Sequence, residues 1–205
     1  MMKSDAKKTS RREFLLIAGT ALAGVALARS VNGAEPGLKV GIVGSGRVGS
    51  ALGAIWLKAG HEVMFSSLDL EQDKALAARL GGKARAGTTR EAAAFGEVLL
   101  ISVPYAALPK VGKDLADLIK GKVVLDTCNP ITGRDGEIAT WAREKGAGLA
   151  SAELLPGARL VRSFNAVGAA RLPEIANSKE RIGMPMAGDD AAAIAVASRL
   201  VREVG

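Results

Sequence analysis

One cysteine and one histidine occur among the 205 residues, and that scarcity removes several chemistries at once. With Cys128 alone, neither an intramolecular disulfide nor a cysteine-rich zinc site can form. With His61 alone, a serine–histidine–aspartate triad or a histidine-based metal centre has little to be built from. His61 falls in the turn after a predicted helix, where a structural role is expected. Aromatic residues are few, with two Trp, one Tyr and four Phe. No Gly-Lys-Ser/Thr follows the glycine-rich loop, which excludes a P-loop. The formal charge of +7 invites a nucleic-acid reading, but its distribution does not support one. Part of the basic excess sits near the start, where Lys3, Lys7, Lys8, Arg11 and Arg12 stand against only Asp5 and Glu13. The remainder is spread thinly, without the clustering that nucleic-acid binding requires.

What is present is small and apolar. Hydrophobic residues make up 48% of the chain and there are 25 glycines. A core can form without disulfides or metal, and small residues suit a parallel sheet covered closely by helices.

Residues 1–34 read as an address and linker rather than as part of the fold. Ser10-Arg11-Arg12-Glu13-Phe14 precedes an apolar stretch from Leu15 to Ala28, and Ala26-Leu27-Ala28 supplies a small-x-small cleavage pattern. This order describes a bacterial signal peptide. The paired arginines with Phe14 two positions on resemble the twin-arginine (Tat) motif. The apolar stretch is shorter than the roughly 20 residues of a spanning helix. The expectation is export to the periplasm by the Tat machinery, with membrane anchoring if the signal is not cleaved.

From residue 35 the pattern alternates. Leu38–Val43 reads as a buried strand, Ser50–Ala59 as a helix closed by Gly60, Glu62–Ser66 as a strand and Glu71–Leu80 as a helix. Val98–Val103 reads as a strand stopped by Pro104, Ala106–Ile119 as a helix and Lys122–Asp126 as a strand. Leu160–Phe164 and, more weakly, Gly183–Ala187 follow as strands, and Asp190–Val204 as a helix. Such alternation implies right-handed βαβ crossovers. The fold class expected is α/β, a doubly wound parallel sheet of the NAD(P)-binding Rossmann type. Residues 35–205 form its domain, with about 35–130 binding the dinucleotide and about 131–205 a smaller C-terminal part. The chain stops directly after a helix, where a doubly wound half would continue, so a shortened C-terminal part is expected.

Between the first strand and first helix stands Gly44-Ser45-Gly46-Arg47-Val48-Gly49. In that context the glycines have separate tasks: Gly44 a tight turn, Gly46 bare backbone against pyrophosphate, Gly49 close helix–sheet packing. Backbone N–H groups at the helix N-terminus then meet the phosphates. The second strand ends in Ser66-Ser67-Leu68 with neither a carboxylate for a ribose 2′-hydroxyl nor a cation for a 2′-phosphate, although Asp69 lies close behind. Ser66 and Ser67 remain as neutral donors, so NADP(H) is expected over NAD(H) by roughly tenfold or less, since one neutral hydrogen bond contributes about 0.5–1.5 kcal/mol.

Further segments fall in a telling order: VLLISVPY (98–105), VVLDTCNPI (123–131), LLPGARLVRSFNAVGA from Leu154, and MAGDD (186–190). With GSGRVG and Gly60-His61-Glu62-Val63, they resemble NADPH-dependent F-420 reductases and related NADP oxidoreductases. The resemblance implies that Gly44 to Gly49 hold the pyrophosphate and that Ser67 contacts the 2′-phosphate. It places Ser102, Val103 and Pro104 beside the dinucleotide, and Asn129-Pro130 with Phe164-Asn165-Ala166-Val167 around the nicotinamide. Asn165 is the candidate catalytic residue, bonding a carboxamide or ring carbonyl. The family usually has Arg where Leu68 stands. The implied activity is hydride transfer between a nicotinamide and a deazaflavin, flavin or similar small acceptor. Two alternatives are a non-catalytic dinucleotide-binding module and a small-molecule reductase resembling pyrroline-5-carboxylate reductase. Homo-oligomerisation stays open.

Overall fold

A computed structural model describes residues 35–205. The signal and linker expected over 1–34 lie outside the described residues. Seven strands make one sheet: β1 (Lys39–Val43), β2 (Glu62–Ser66), β3 (Ala84–Ala86), β4 (Val98–Ile101), β5 (Val123–Asp126), β6 (Arg159–Arg162) and β7 (Ala187–Gly188). Their spatial order is β3-β2-β1-β4-β5-β6-β7. All neighbours are parallel except β6 and β7, which are antiparallel. This is the Rossmann-like doubly wound arrangement, in which strand order reverses between β1 and β4.

The strands alternate between two cores, as a two-residue period demands. Val40, Ile42, Phe65, Leu100 and Leu125 face one layer with Leu52 and Trp56 of α1 (Arg47–Lys58) and Leu200 of the last helix. Val43, Leu99, Ile101 and Val124 face the other, with Tyr105, Leu108 and Ile119. Glycine decides how near the helices come. A Cβ on Gly41 would lie 2.1 Å from the carbonyl of Ala92, so α3 (Thr89–Phe95) rests directly on β1.

Several elements go beyond the sequence expectation. β3 is a three-residue edge strand, and α3 follows it with a capping box in which Thr88 and Glu91 satisfy each other's backbone N–H groups. Such a box is visible in sequence as Thr-x-x-Glu. Residues 132–154 carry α6 (Thr132–Asp135), α7 (Glu137–Lys145) and α8 (Ala147–Leu154), and α9 spans Leu172–Asn177. The single helix expected over 106–119 is broken. After a 3₁₀ turn at Tyr105–Ala107 it becomes α4 (Leu108–Asp114) and α5 (Ala116–Ile119). The break has a local cause: the Asp114 carbonyl accepts from the Arg90 guanidinium, and the Leu118 N–H turns to Leu115 O at 2.8 Å. The expected strand over 183–187 shrinks to β7 and runs antiparallel, feeding α10 (Ala191–Arg202). Asp190 caps α10 by accepting from Ala193 N, and Arg159 grips the same carboxylate with two hydrogen bonds. The helix α2 (Leu70–Leu80) fills the crossover from β2 to β3.

Two long-range bonds tie the C-terminal helix to the first half of the fold. Trp56 Nε1 donates to Leu200 O across 3.0 Å inside the core. His61 is fully buried, accepts from Leu38 N at Nδ1 and, through Nε2, bonds Glu203 at 2.6 Å. With Nδ1 accepting, the proton sits on Nε2. His61 thus pins the end of the chain to the start of β1.

Candidate functional site

A cleft of about 890 Å³ opens at the carboxyl ends of β1, β2 and β4, over the point where strand order reverses. Ligands of open α/β sheets bind at such switch points. The sheet supplies its floor at Val43, the glycine loop one wall, and Ser102-Val103-Pro104 after β4 the other.

The loop's shape follows from its glycines. Gly44 adopts φ +100°, and a Cβ there would lie 2.2 Å from Ser102 O. The N–H groups of Gly44 and Ser45 both donate to Ser66 O, at 2.9 and 3.0 Å, which folds the loop back over β2. A Cβ on Gly49 would lie 2.1 Å from Gly44 O, so α1 packs where only glycine fits. Gly46 differs: a Cβ there meets nothing within 4 Å, because the residue faces the cleft. Gly46 is also the N-cap of α1, and no side chain caps that helix. The first-turn N–H groups therefore remain for an anion, assisted by the helix dipole.

The residues expected at the site divide. Gly44, Ser45, Gly46, Ser67, Ser102, Val103 and Pro104 line the cleft together. Arg47, Val48 and Gly49 form the first turn of α1 behind it. Ser66 corrects the sequence reading: it is fully buried, and its hydroxyl donates to Ile42 O at 2.7 Å, bridging β1 and β2. It has no proton left for a ligand. Ser67 is also committed, donating to Asp73 Oδ2 at 2.8 Å and lying 3.2 Å from Asp69 O.

Asn129, Pro130 and Asn165 are gathered elsewhere, at the carboxyl ends of β5 and β6, and do not line this cleft. Asn129 Nδ2 donates to Asn165 O at 2.8 Å, so the two loops are joined. Phe164 between them holds φ +62°, the sole non-glycine residue with positive φ among those described, and packs edge-on against Trp56 with ring centroids 6.2 Å apart. A bulky residue in that region costs backbone energy that surrounding structure must offset. Two residues before it in the chain, Arg162 bonds buried Asp126, Ser151 Oγ at 3.1 Å and Cys128 O at 3.0 Å. Tyr105 completes the cluster through Ser151 at 3.0 Å, and its burial raises its hydroxyl pKa. Burial and the nearby Asp126 push the Cys128 thiol well up, which leaves it a poor nucleophile.

Residues with no motif complete the cleft: Asp69, Gln72 and Arg90 near β2, and Lys110, Val111 and Asp114 of α4. Apart from Asp69, which stands just behind the second strand and caps α2, no sequence signal marks them, since each is an ordinary polar or apolar residue of a helix surface. No helix among the described residues is long and apolar enough to cross a membrane.

Comparison with known proteins bears on the same segment. No curated protein matches the chain. Among solved structures, a candidate F420-dependent NADP-reductase from Arthrobacter sp. FB24 is 20% identical at TM-score 0.70, covering 82% of this chain and 81% of that one. A hypothetical protein from Sinorhizobium meliloti is 22% identical at TM-score 0.69, covering 82% of each. A pyrroline-5-carboxylate reductase from Coxiella burnetii is 13% identical at TM-score 0.60, and the match covers 83% of this chain and 57% of the enzyme. These likenesses show a shared fold. Residues 39–130, from β1 through the glycine loop to Pro130, match the family model described as NADP oxidoreductase, coenzyme F420-dependent.

Proposed function

We propose that this protein is an NAD(P)H-dependent oxidoreductase that passes hydride between the nicotinamide and a deazaflavin, flavin or similar small acceptor. The observation that carries the reading is Gly46. It is bare backbone at an uncapped helix N-terminus, facing a cleft large enough for a dinucleotide. The match of residues 39–130 to an oxidoreductase family model supports it.

The bound nicotinamide would supply or accept the hydride, chemistry that asks the protein for alignment and water exclusion more than for a strong acid or base. This chain has the parts for that task. The glycine loop would bind pyrophosphate through first-turn N–H groups, and Val103 and Pro104 would bear on the dinucleotide from the β4 side. Asn129 and Asn165, joined by their hydrogen bond, supply amide groups at the next strand ends for a carboxamide or ring carbonyl. Asn165 is the proposed contact to the reacting rings. No nucleophile is needed, which agrees with the buried, high-pKa thiol of Cys128.

The Arg11-Arg12 pattern and the apolar stretch after it support Tat export and a periplasmic location. Replacing both arginines by lysine should hold the precursor in the cytoplasm on fractionation.

The function is tested by turnover of NADH and NADPH with a panel of flavins and a deazaflavin. Binding of either dinucleotide without turnover of any acceptor would favour a non-catalytic binding module instead.

A further inference from the structure

The end of β2 contains a hydrogen-bond arrangement that the local sequence does not announce. Asp73, four residues into α2 from its cap, is fully buried, yet its carboxylate takes two hydroxyls of the cleft wall, those of Ser45 and Ser67. Ser45 of the glycine loop donates to Oδ1, and Ser67 at the strand end donates to Oδ2 at 2.8 Å. One carboxylate therefore stands directly behind two residues that face the ligand. A serine hydroxyl has a single proton. With both protons turned inward to Asp73, Ser45 and Ser67 present lone pairs to the cleft. Ser67 also accepts from Asp69 N at 3.1 Å, which holds it in that orientation.

The surrounding charges point the same way. Asp69 lines the cleft itself and spends Oδ1 on capping α2 through Gln72 N at 3.0 Å, leaving Oδ2 without a partner among the described residues. The two cations that line the cleft are each held by a carboxylate. Arg90 makes a two-pronged contact with Asp117 at 2.6 and 3.0 Å, and Lys110 bonds Asp114 at 2.6 Å. Leu68 is fully exposed at the rim and brings no charge.

We infer that this site selects NAD(H) over NADP(H), with Asp69 and Asp73 as the specificity-determining residues. A ribose 2′-hydroxyl can donate to Asp69 or to the serine lone pairs. A 2′-phosphate offers acceptors only and nearly two negative charges, and here it would meet acceptors and carboxylates. Discrimination arises from repulsion of the wrong ligand as much as from attraction of the right one. This reverses the preference that Ser66 and Ser67, taken as free donors, led the sequence to suggest. The inference rests on the dinucleotide reading of the glycine loop.

The test is fluorescence titration of the purified full-length protein with NADH and with NADPH. The wild-type protein should bind NADH at least about tenfold more tightly, by a margin that narrows with added salt as screened charges require. Asp69→Asn keeps a good helix cap and should reduce the ratio several-fold, chiefly by tightening NADPH. Asp73→Asn should reduce it further, with melting temperature measured alongside; if that variant does not fold, wild type and Asp69→Asn decide. Equal or tighter NADPH binding by the wild type, or a ratio unchanged by Asp69→Asn, overturns the selection while leaving the loop assignment standing. Failure to bind either dinucleotide overturns both.

Discussion

The two regions at the carboxyl edge of the sheet are built on opposite plans. Around β1 and β2 the wall is open: Gly46 faces empty space, Leu68 is fully exposed, and Asp69 keeps an oxygen unpartnered. Around β5 and β6 the polar groups, the buried Ser163 hydroxyl excepted, are occupied with one another. Asp126, Arg162, Ser151 and Tyr105 form a buried chain, and Phe164 in the adjoining loop is held in a left-handed conformation. Fully satisfied buried networks rigidify their surroundings. The first region is therefore suited to admitting and choosing a ligand, and the second to holding two loops in one shape. The loops it holds carry Asn129 and Asn165.

The contrast is sharpest when pressed where each region is weakest. Gly46→Leu should lower dinucleotide affinity more than about 100-fold, since its side chain would occupy ligand space, with little change in melting temperature because its Cβ meets no neighbour. Gly49→Leu, three residues on, should instead unfold the domain, for its Cβ would meet Gly44 O at 2.1 Å. Unchanged NADH and NADPH titrations for Gly46→Leu would detach the cofactor from this loop.

In the closed region, Asp126→Ala leaves Arg162 as an uncompensated charge that is only 12% exposed. Breaking such a pair destabilises by about 3–5 kcal/mol, to be read from urea unfolding midpoints. A loss under about 1 kcal/mol would class the pair with surface ion pairs.

Leu68→Arg returns to the open region. It adds an exposed guanidinium beside the 2′ position, and a planar fork suits phosphate. We expect the NADPH-to-NADH affinity ratio to rise about tenfold, with stability within about 0.5 kcal/mol of the parent, as at most surface sites. An unmoved ratio would place Leu68 away from the ribose.

The smallest effect is acid loosening of α10. The Arg159 guanidinium, helped by Ala193 N, holds the Asp190 carboxyl well below its usual range. A depressed folded-state pKa contributes stability that is present above the ordinary carboxylate pKa of about 3.9 and is lost as pH falls below it. Protection factors in α10, taken relative to intrinsic exchange at each pH, should therefore fall below about pH 4, and Asp190→Asn should remove most of that pH dependence.

Much of the fold could be read from residue order. Runs such as VLLI and KVGIV are largely apolar on both faces, which places them inside a parallel sheet, and GSGRVG between strand and helix marked the glycine loop that walls the cleft. The elements missed were those with weak periodicity: β3 has three residues, and α6 to α8 are short and loosely patterned. The Thr88–Glu91 box marked α3 and could have been read.

By itself, then, the sequence determined the α/β class and the strand–loop–helix that opens the cleft. These depend on neighbours along the chain: two-residue and helical periods, and glycines whose φ or missing Cβ acts locally. Only the tertiary structure decided what Ser66, Ser67 and Asp73 do. Whether a hydroxyl is free for a ligand depends on where its proton goes. In this protein those protons go to Ile42 O, one strand away, and to a carboxylate on the following helix, partners that become neighbours only when β1, β2 and α2 pack.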